Sequence, residues 1–219
     1  MNHQATNIIC FGDSITEAAE FAPERRWPAL LQAKLDAWVS GRFTVYNRGV
    51  GGDTTARAFD RLESDVLPWL PGVLLVQFGF NDANVRDWAA VPRVSLDEFR
   101  KNLREFHRLA VIASGRCFFI VNHTIAQVAG RQGNSRSYND NLEPYNMAIR
   151  EVARACAAPT IDLPAMLAQQ QLALERVLAE DGIHLSVSGN RIYADLVFAA
   201  LRQMLVQTGN ETQMLGSGG

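Results

Sequence analysis

The stretch Val73-Leu74-Leu75-Val76-Gln77-Phe78 constrains this chain more than any other. It is a continuous apolar run without the alternation of a half-exposed strand, so it reads as a strand covered on both faces. Four more short β-type runs accompany it: Asn7 to Gly12, Phe43 to Asn47, Cys117 to Val121 and Thr160 to Leu163. Segments of helical character separate them. Trp27 to Val39 carries Trp27, Leu30, Leu31, Leu35 and Trp38 at helical spacing, with Pro28 suited to the first turn. A helix over Thr55 to Asp65 stops before Pro68. Ser95-Leu96-Asp97-Glu98 has the pattern of a capping box, and the helix it opens aligns Leu96, Phe99, Leu103, Phe106, Ala110 and Ala113 on one stripe. Leu142 to Ala157, Pro164 to Ala179 (with a break) and Gly189 to Val206, capped by Ser188, complete the set. Strands alternating with helices predict an α/β domain: a central, mostly parallel five-stranded sheet with helices on both faces.

The 219 residues are 47% apolar, enough to bury a sizeable core as a single domain over 1–206. Residues 207–219 read as a flexible tail whose last four, Gly216-Ser217-Gly218-Gly219, resemble a linker. A formal charge of −2 supplies no long-range field for nucleic acid. Cys10, Cys117 and Cys156 are widely spaced and lie in apolar runs, which argues against a disulfide framework or a zinc site and for buried reduced thiols. The first seven residues are polar, and no run reaches the ~20 apolar residues that span a bilayer. A cytoplasmic chain is the expectation.

Three strands end in polar clusters: Gly12-Asp13-Ser14, Gly49 through Gly52-Asp53, and Gly79-Phe80-Asn81-Asp82. In a parallel sheet those ends share one edge, where ligands bind. Ser14 is a weak nucleophile unless a base activates it. Asp181 and His184, three residues apart, fit that need: the carboxylate holds Nδ1–H while Nε2 faces the hydroxyl. The other histidines compete poorly. His3 is terminal, His107 lies in a helix beside Phe106, and His123, after the fourth strand, is a candidate for the substrate loop. Asn81, the Gly52 N–H and the Ser14 N–H are candidate oxyanion donors. Asp13 and Asp82 are read as holding loops, since a second carboxylate would not help Ser14 ionise.

Taken in order, these blocks resemble the SGNH, or GDSL-type, hydrolase family over nearly the whole domain. Gly12-Asp13-Ser14-Ile15 resembles its nucleophile block, with Ile15 where leucine is usual. Asn47 through Gly52-Asp53-Thr54 resembles the glycine block, Gly79-Phe80-Asn81-Asp82 the G-x-N-D block, and Asp181-Gly182-Ile183-His184 the terminal D-x-x-H block. The resemblance implies a flavodoxin-like three-layer α/β/α sandwich and ester hydrolysis without metal or cofactor. It implies a triad of Ser14, Asp181 and His184, and an oxyanion hole of Ser14, Gly52 and Asn81.

The implied partner is a small-molecule ester. A short-chain carboxylic ester comes first, then a sugar acetate, then a thioester or lysophospholipid. Phe21, Phe80, Val85, Trp88 and His123 are the candidate substrate contacts, and Arg86, Arg131 and Arg136 would favour an anionic alcohol portion. The long polar segment Asn122 to Asp140 is a candidate lid. Two rivals are weaker. A nucleotide binder would need G-x-x-x-x-G-K-[ST] or a third glycine after Gly49 and Gly51, and has neither. A pseudoenzyme binding glycan or lipid has no reason to keep all four blocks intact.

Overall fold

Ile8, Ile9, Cys10 and Phe11 have no exposed surface in the computed structural model, which describes residues 5–126 and 130–216. They lie in β1 (Thr6–Gly12), which pairs in parallel with β2 (Phe43–Gly49) on one side and β3 (Gly72–Gln77) on the other. β4 (Arg116–Val121) and β5 (Thr160–Asp162) extend the sheet beyond β3, giving the order β2-β1-β3-β4-β5 with every pairing parallel. That is the flavodoxin-like order, in which the chain leaves β1 for one side and later returns to the other. Register sets Gly12 opposite both Gly49 and Gln77, so three strands end in one row.

Helices cover both faces. α2 (Trp27–Trp38) packs against α10 (Val187–Gly216), burying Trp27, Leu31 and Leu35 with Tyr193, Val197 and Leu201. Right-handed crossovers send the middle helices to the opposite face, where α6 (Leu96–Ile112) packs against α7 (Tyr138–Ala155). Phe106 of α6 has no exposed surface, and its ring lies 5.5 Å from Phe11 and 6.0 Å from Phe78. With Phe99, Leu103 and Ala110 it forms the face by which α6 packs into the core. Cys10 and Cys117 are buried and Cys156 is half-buried, all three as free thiols; burial pushes the first two thiols far up, away from the reactive thiolate. Among the described residues no helix is long and apolar enough to cross a membrane.

Four local expectations differ from the structure. The helix expected over Thr55 to Asp65 is α3 (Thr55–Ala58), a tighter 3₁₀ turn over Phe59–Arg61 and α4 (Leu62–Asp65). The tightening sets Phe59 4.8 Å from Phe106 and turns Arg61 toward the ends of β1 and β2. At Ser95 only half of the capping box forms, Ser95 Oγ accepting from the Glu98 N–H. The complete box is Ser137 with Asp140, which starts α7 four residues before Leu142. Pro144 inside α7 cannot donate to the Asp140 carbonyl, and Arg136 Nη2 donates there instead at 2.7 Å. α10 opens at Val187, with Ser186 rather than Ser188 accepting from Gly189 N. It continues to Gly216, with the good helix formers Glu211, Gln213, Met214 and Leu215 near its end.

Replacing Phe106 by alanine removes a ring enclosed by three others and is expected to cost about 3–5 kcal/mol. Urea unfolding of the two proteins checks this; a loss below about 1 kcal/mol would mean that α6 does not depend on Phe106.

Candidate active site

β1 stops at Gly12, and Asp13 caps the single turn α1 (Ser14–Glu17) by accepting from Ile15 N–H at 3.0 Å. Trp27 holds that turn from behind, its ring N–H donating to the Ile15 carbonyl at 2.9 Å. The end of β2 closes in on it from the side: a Cβ on Gly49 would lie 2.0 Å from Glu17 N, so only glycine fits. Ser14 is thus presented at the strand edge, where the sheet order reverses.

His184 comes from the far end of the sequence. Its loop is closed by a two-strand bridge between Leu178 and Leu185 and by Ala179 N–H donating to the His184 carbonyl. Asp181 Oδ1 accepts from the backbone N–H groups of Ile183 and His184, both at 2.9 Å, which leaves Oδ2 aimed at the ring. Oδ2 lies 2.6 Å from His184 Nδ1, and His184 Nε2 lies 2.9 Å from Ser14 Oγ. A carboxylate only accepts, so Nδ1 carries the proton and Nε2 accepts from the serine hydroxyl. Burial works against the Asp181 charge, but the bonds from His184 and Ile183 outweigh it and hold the carboxyl below its usual range.

Three donors in the loops at this sheet edge have no partner among the described residues. The Ser14 N–H is the unpaired first donor of α1. In the glycine loop, Gly51 N–H donates to Glu17 Oε2 at 2.6 Å, which leaves the Gly52 N–H as the open one. The third is the Asn81 side chain, at the start of α5 (Phe80–Ala83). Arg93 decides how that amide points. Its Nη1 donates to Asn81 Oδ1 at 3.0 Å and its Nη2 to the Gly52 carbonyl at 2.9 Å. A guanidinium cannot accept, so Asn81 must present oxygen to Arg93 and turn its NH₂ away. One side chain therefore ties together two of the three donor-bearing segments.

Beneath the site lies a buried polar layer. Thr16 Oγ1 donates to Gln77 Oε1 at 2.8 Å, Gln77 Nε2 to Asn122 Oδ1 at 2.8 Å, and Asn122 Nδ2 to the Phe78 carbonyl at 2.8 Å. This chain of amides joins the ends of β1, β3 and β4. Gly79 completes it with φ +135°; a Cβ there would meet Asn122 Nδ2 at 2.6 Å. Arg61 adds a second tie, its Nη2 on the Gly12 carbonyl at 3.0 Å and its Nε on Asp53 Oδ2 at 2.7 Å. Asp82 Oδ1 accepts from both the N–H and hydroxyl of Thr55, anchoring α3. Asp13 and Asp82 are fully buried, and each keeps one oxygen unpaired. Burial, with a smaller push from Asp82, raises Asp13 to about 7; burial raises Asp82 to about 6.

The expected substrate contacts divide. His123 has no exposed surface and faces the protein: Nε2–H donates to the Ile183 carbonyl at 2.9 Å, supporting the loop that carries His184. Burial, only partly offset by that bond, lowers its pKa to about 4, so it stays neutral. Phe80 is likewise buried, its ring 4.8 Å from His123, and neither meets solvent. The space behind the sheet edge holds both side chains. Phe21 is half-buried and borders none of the cavities described below. Val85, Arg86, Trp88 and Arg131 do line a cavity of about 430 Å³ with Tyr138 and Ile183, next to His184. Arg136 does not, being engaged at Asp140. Of the expected lid, 127–129 lie outside the described residues. The rest is pinned: Val85 N–H donates to Gln132 Oε1 at 3.0 Å, and Asn141 Nδ2 to the same oxygen at 2.6 Å. Arg93, Glu17 and Arg61 went unseen in the sequence because an isolated charge carries no spacing signal.

A model of the GDSL-like lipase/acylhydrolase family matches residues 10–192, from β1 into α10 and across every segment of the site. The chain belongs to that family. It is 35% identical over 179 residues to the uncharacterized lipoprotein YqeF of Bacillus subtilis, covering 71% of this chain and 70% of that one. It is 28% identical to the isoamyl acetate-hydrolyzing esterase 1 homolog of Bos taurus over 84% of this chain and 76% of that one. A lipase/acylhydrolase from Enterococcus faecalis superposes with a TM-score of 0.75 at 25% identity, covering 91% and 96% of the two chains. The chain is accordingly a GDSL-like hydrolase with esterase relatives.

Asp13→Asn keeps the cap on Ile15 and removes a charge that folding buries. Because the folded pKa is raised above its unfolded value, the wild type is favoured below about pH 4 and loses that contribution as pH rises through about 7. The melting temperature of the variant relative to wild type should therefore climb between pH 5 and pH 8, by roughly 2–4 °C per kcal/mol relieved. Differential scanning calorimetry at both pH values reads this, and an unchanged gap refutes it.

Proposed function

We propose that this protein is a serine esterase that hydrolyses carboxylic esters of small or short-chain acyl groups through an acyl-enzyme on Ser14. The observation that carries the proposal is the unbroken path Asp181 Oδ2–His184–Ser14 Oγ, with links of 2.6 and 2.9 Å. Ser14 Oγ attacks the acyl carbonyl as His184 Nε2 takes its proton. Asp181 holds the imidazole in the tautomer that can accept and steadies the imidazolium that forms. The carbonyl oxygen becomes an oxyanion held by Ser14 N–H, Gly52 N–H and the Asn81 amide. His184 then protonates the leaving alcohol. Water, deprotonated by the same nitrogen, attacks the acyl-enzyme and frees the acid and Ser14.

The short-chain preference is supported by the bovine relative named for isoamyl acetate hydrolysis. A cytoplasmic location belongs to the same proposal and is supported by three unpaired thiols. The Bacillus relative is named a lipoprotein, so fractionation of the source cell is the deciding measurement.

Ser14→Ala should keep its melting temperature, lose at least about 10³-fold in kcat on 4-nitrophenyl acetate and butyrate, and escape fluorophosphonate labelling. Retained turnover removes Ser14 from the mechanism. In the wild type, acetate and butyrate should outpace the octanoate ester, acetylated xylose and an acyl thioester; a faster sugar acetate or thioester overturns the substrate class. Arg93→Met frees the Asn81 amide to rotate, and should lower kcat about 10–100-fold with little change in KM, since the loss falls on the oxyanion. An unaltered kcat dismisses the Arg93 clamp.

A further inference from the structure

A second cavity of about 430 Å³ lies on the other side of Arg86 and Trp88, and Thr54, Arg57, Val91 and Arg93 contribute to its wall. It shares Arg93 with the donors that hold Asn81 and Gly52, so it begins one guanidinium away from the expected oxyanion position. Three arginines converge here on a chain of net charge −2. Among the described residues no carboxylate comes within ion-pair distance of Arg86 or Arg93. Arg57 reaches only Asp53, at 3.7 Å, and Arg61 already holds that carboxylate at 2.7 Å. The guanidiniums feel one another: burial first, then Arg86 and Arg57, depress the Arg93 pKa, with Asp82 offsetting part of the effect. Converging like charges in a concave wall focus a positive potential and concentrate anions.

The rest of the wall is apolar and turned outward. Trp88 is 80% exposed and Val91 69% exposed, in a loop otherwise held by its neighbours. Arg86 lies 5.5 Å over the Trp88 ring, a planar cation on an aromatic face. Such a wall accepts a ligand with a flat or apolar body and a charged end. Folding alone gives no reason to expose that surface or to leave Arg86 and Arg93 without an ion-paired carboxylate.

We propose that this cavity is a subsite for a carboxylate or phosphate group carried by the ester substrate, with Arg57 and Arg86 as its direct contacts and Trp88 packing the adjoining part of the molecule. Arg93 supplies field from behind while it holds Asn81. The proposal rests on the esterase reading and narrows it from esters in general to esters with an acidic group near the scissile bond.

Two matched pairs of probes test it. 4-Acetoxybenzoate and its methyl ester place the charge on the alcohol side; mono-4-nitrophenyl adipate and its methyl ester place it on the acyl side. Wild type should favour the anionic member of at least one pair by about tenfold or more in kcat/KM. The pair that responds identifies which side of the ester enters the cavity. Raising salt from about 20 mM to about 0.5 M should erode the preference. Arg86→Gln and Arg57→Gln should each lower the anionic-to-neutral ratio about tenfold, mainly through KM. Calorimetry on Ser14→Ala gives a reading independent of turnover: 4-acetoxybenzoate should bind, and should bind more weakly when Arg86→Gln is added. Equal rates within both pairs, or a preference that survives both arginine variants, overturns the subsite. If the neutral esters are cleaved in a Ser14-dependent way, that failure leaves the esterase reading standing; if no ester is cleaved, the esterase reading falls instead.

Discussion

Everything at the catalytic edge depends on β1 pairing in parallel with two neighbours whose ends stop level with its own. Gly12 stands opposite Gly49 and Gln77, and each strand then turns into a loop bearing one part of the site. A slip of one residue would turn every buried side chain of β1 toward the wrong helix layer, so the hydrophobic pattern that fills the core also fixes the spacing of the chemistry. The approach of Gly49 to Glu17 shows how little slack remains.

Polar groups buried beneath that edge do the fine positioning. The Thr16–Gln77–Asn122 chain, the Arg61 tie and the Asp82–Thr55 anchor each join loops distant in sequence. Every one satisfies backbone or side-chain groups that would otherwise be costly to bury, so site geometry and stability rest on the same bonds. Asp13 and Asp82 are the exceptions. Each holds a loop with one oxygen and leaves the other unpaired, a local cost borne next to the nucleophile.

His123 shows where pattern reading stops. Its position after a strand, at the active edge, marked it as a substrate contact, yet its ring turns inward to the Ile183 carbonyl. Phe80 turned inward for the same reason. Spacing tells which edge a residue reaches, not which way its side chain rotates there. Trp88 shows the opposite outcome, standing outside while Val85 and Val94 of the same loop are buried. Arg93 lacked any signal at all, since a lone arginine in a proline-bearing loop is the commonest of surface features.

By itself, the sequence determined the class of sheet, the number of strands, the succession of helices and the four blocks that place the chain in its family. These follow from hydrophobic period and from glycines and caps at strand ends, which act over a few residues and are therefore written locally. Tertiary structure alone decided that Ser14 Oγ and His184 Nε2, 170 positions apart, meet at 2.9 Å. It also decided that Arg93 orients Asn81, and that α7 starts at a box the hydrophobic pattern concealed. Those outcomes depend on directional bonds between segments brought together only by folding, and no local period encodes the direction of a bond to a distant partner.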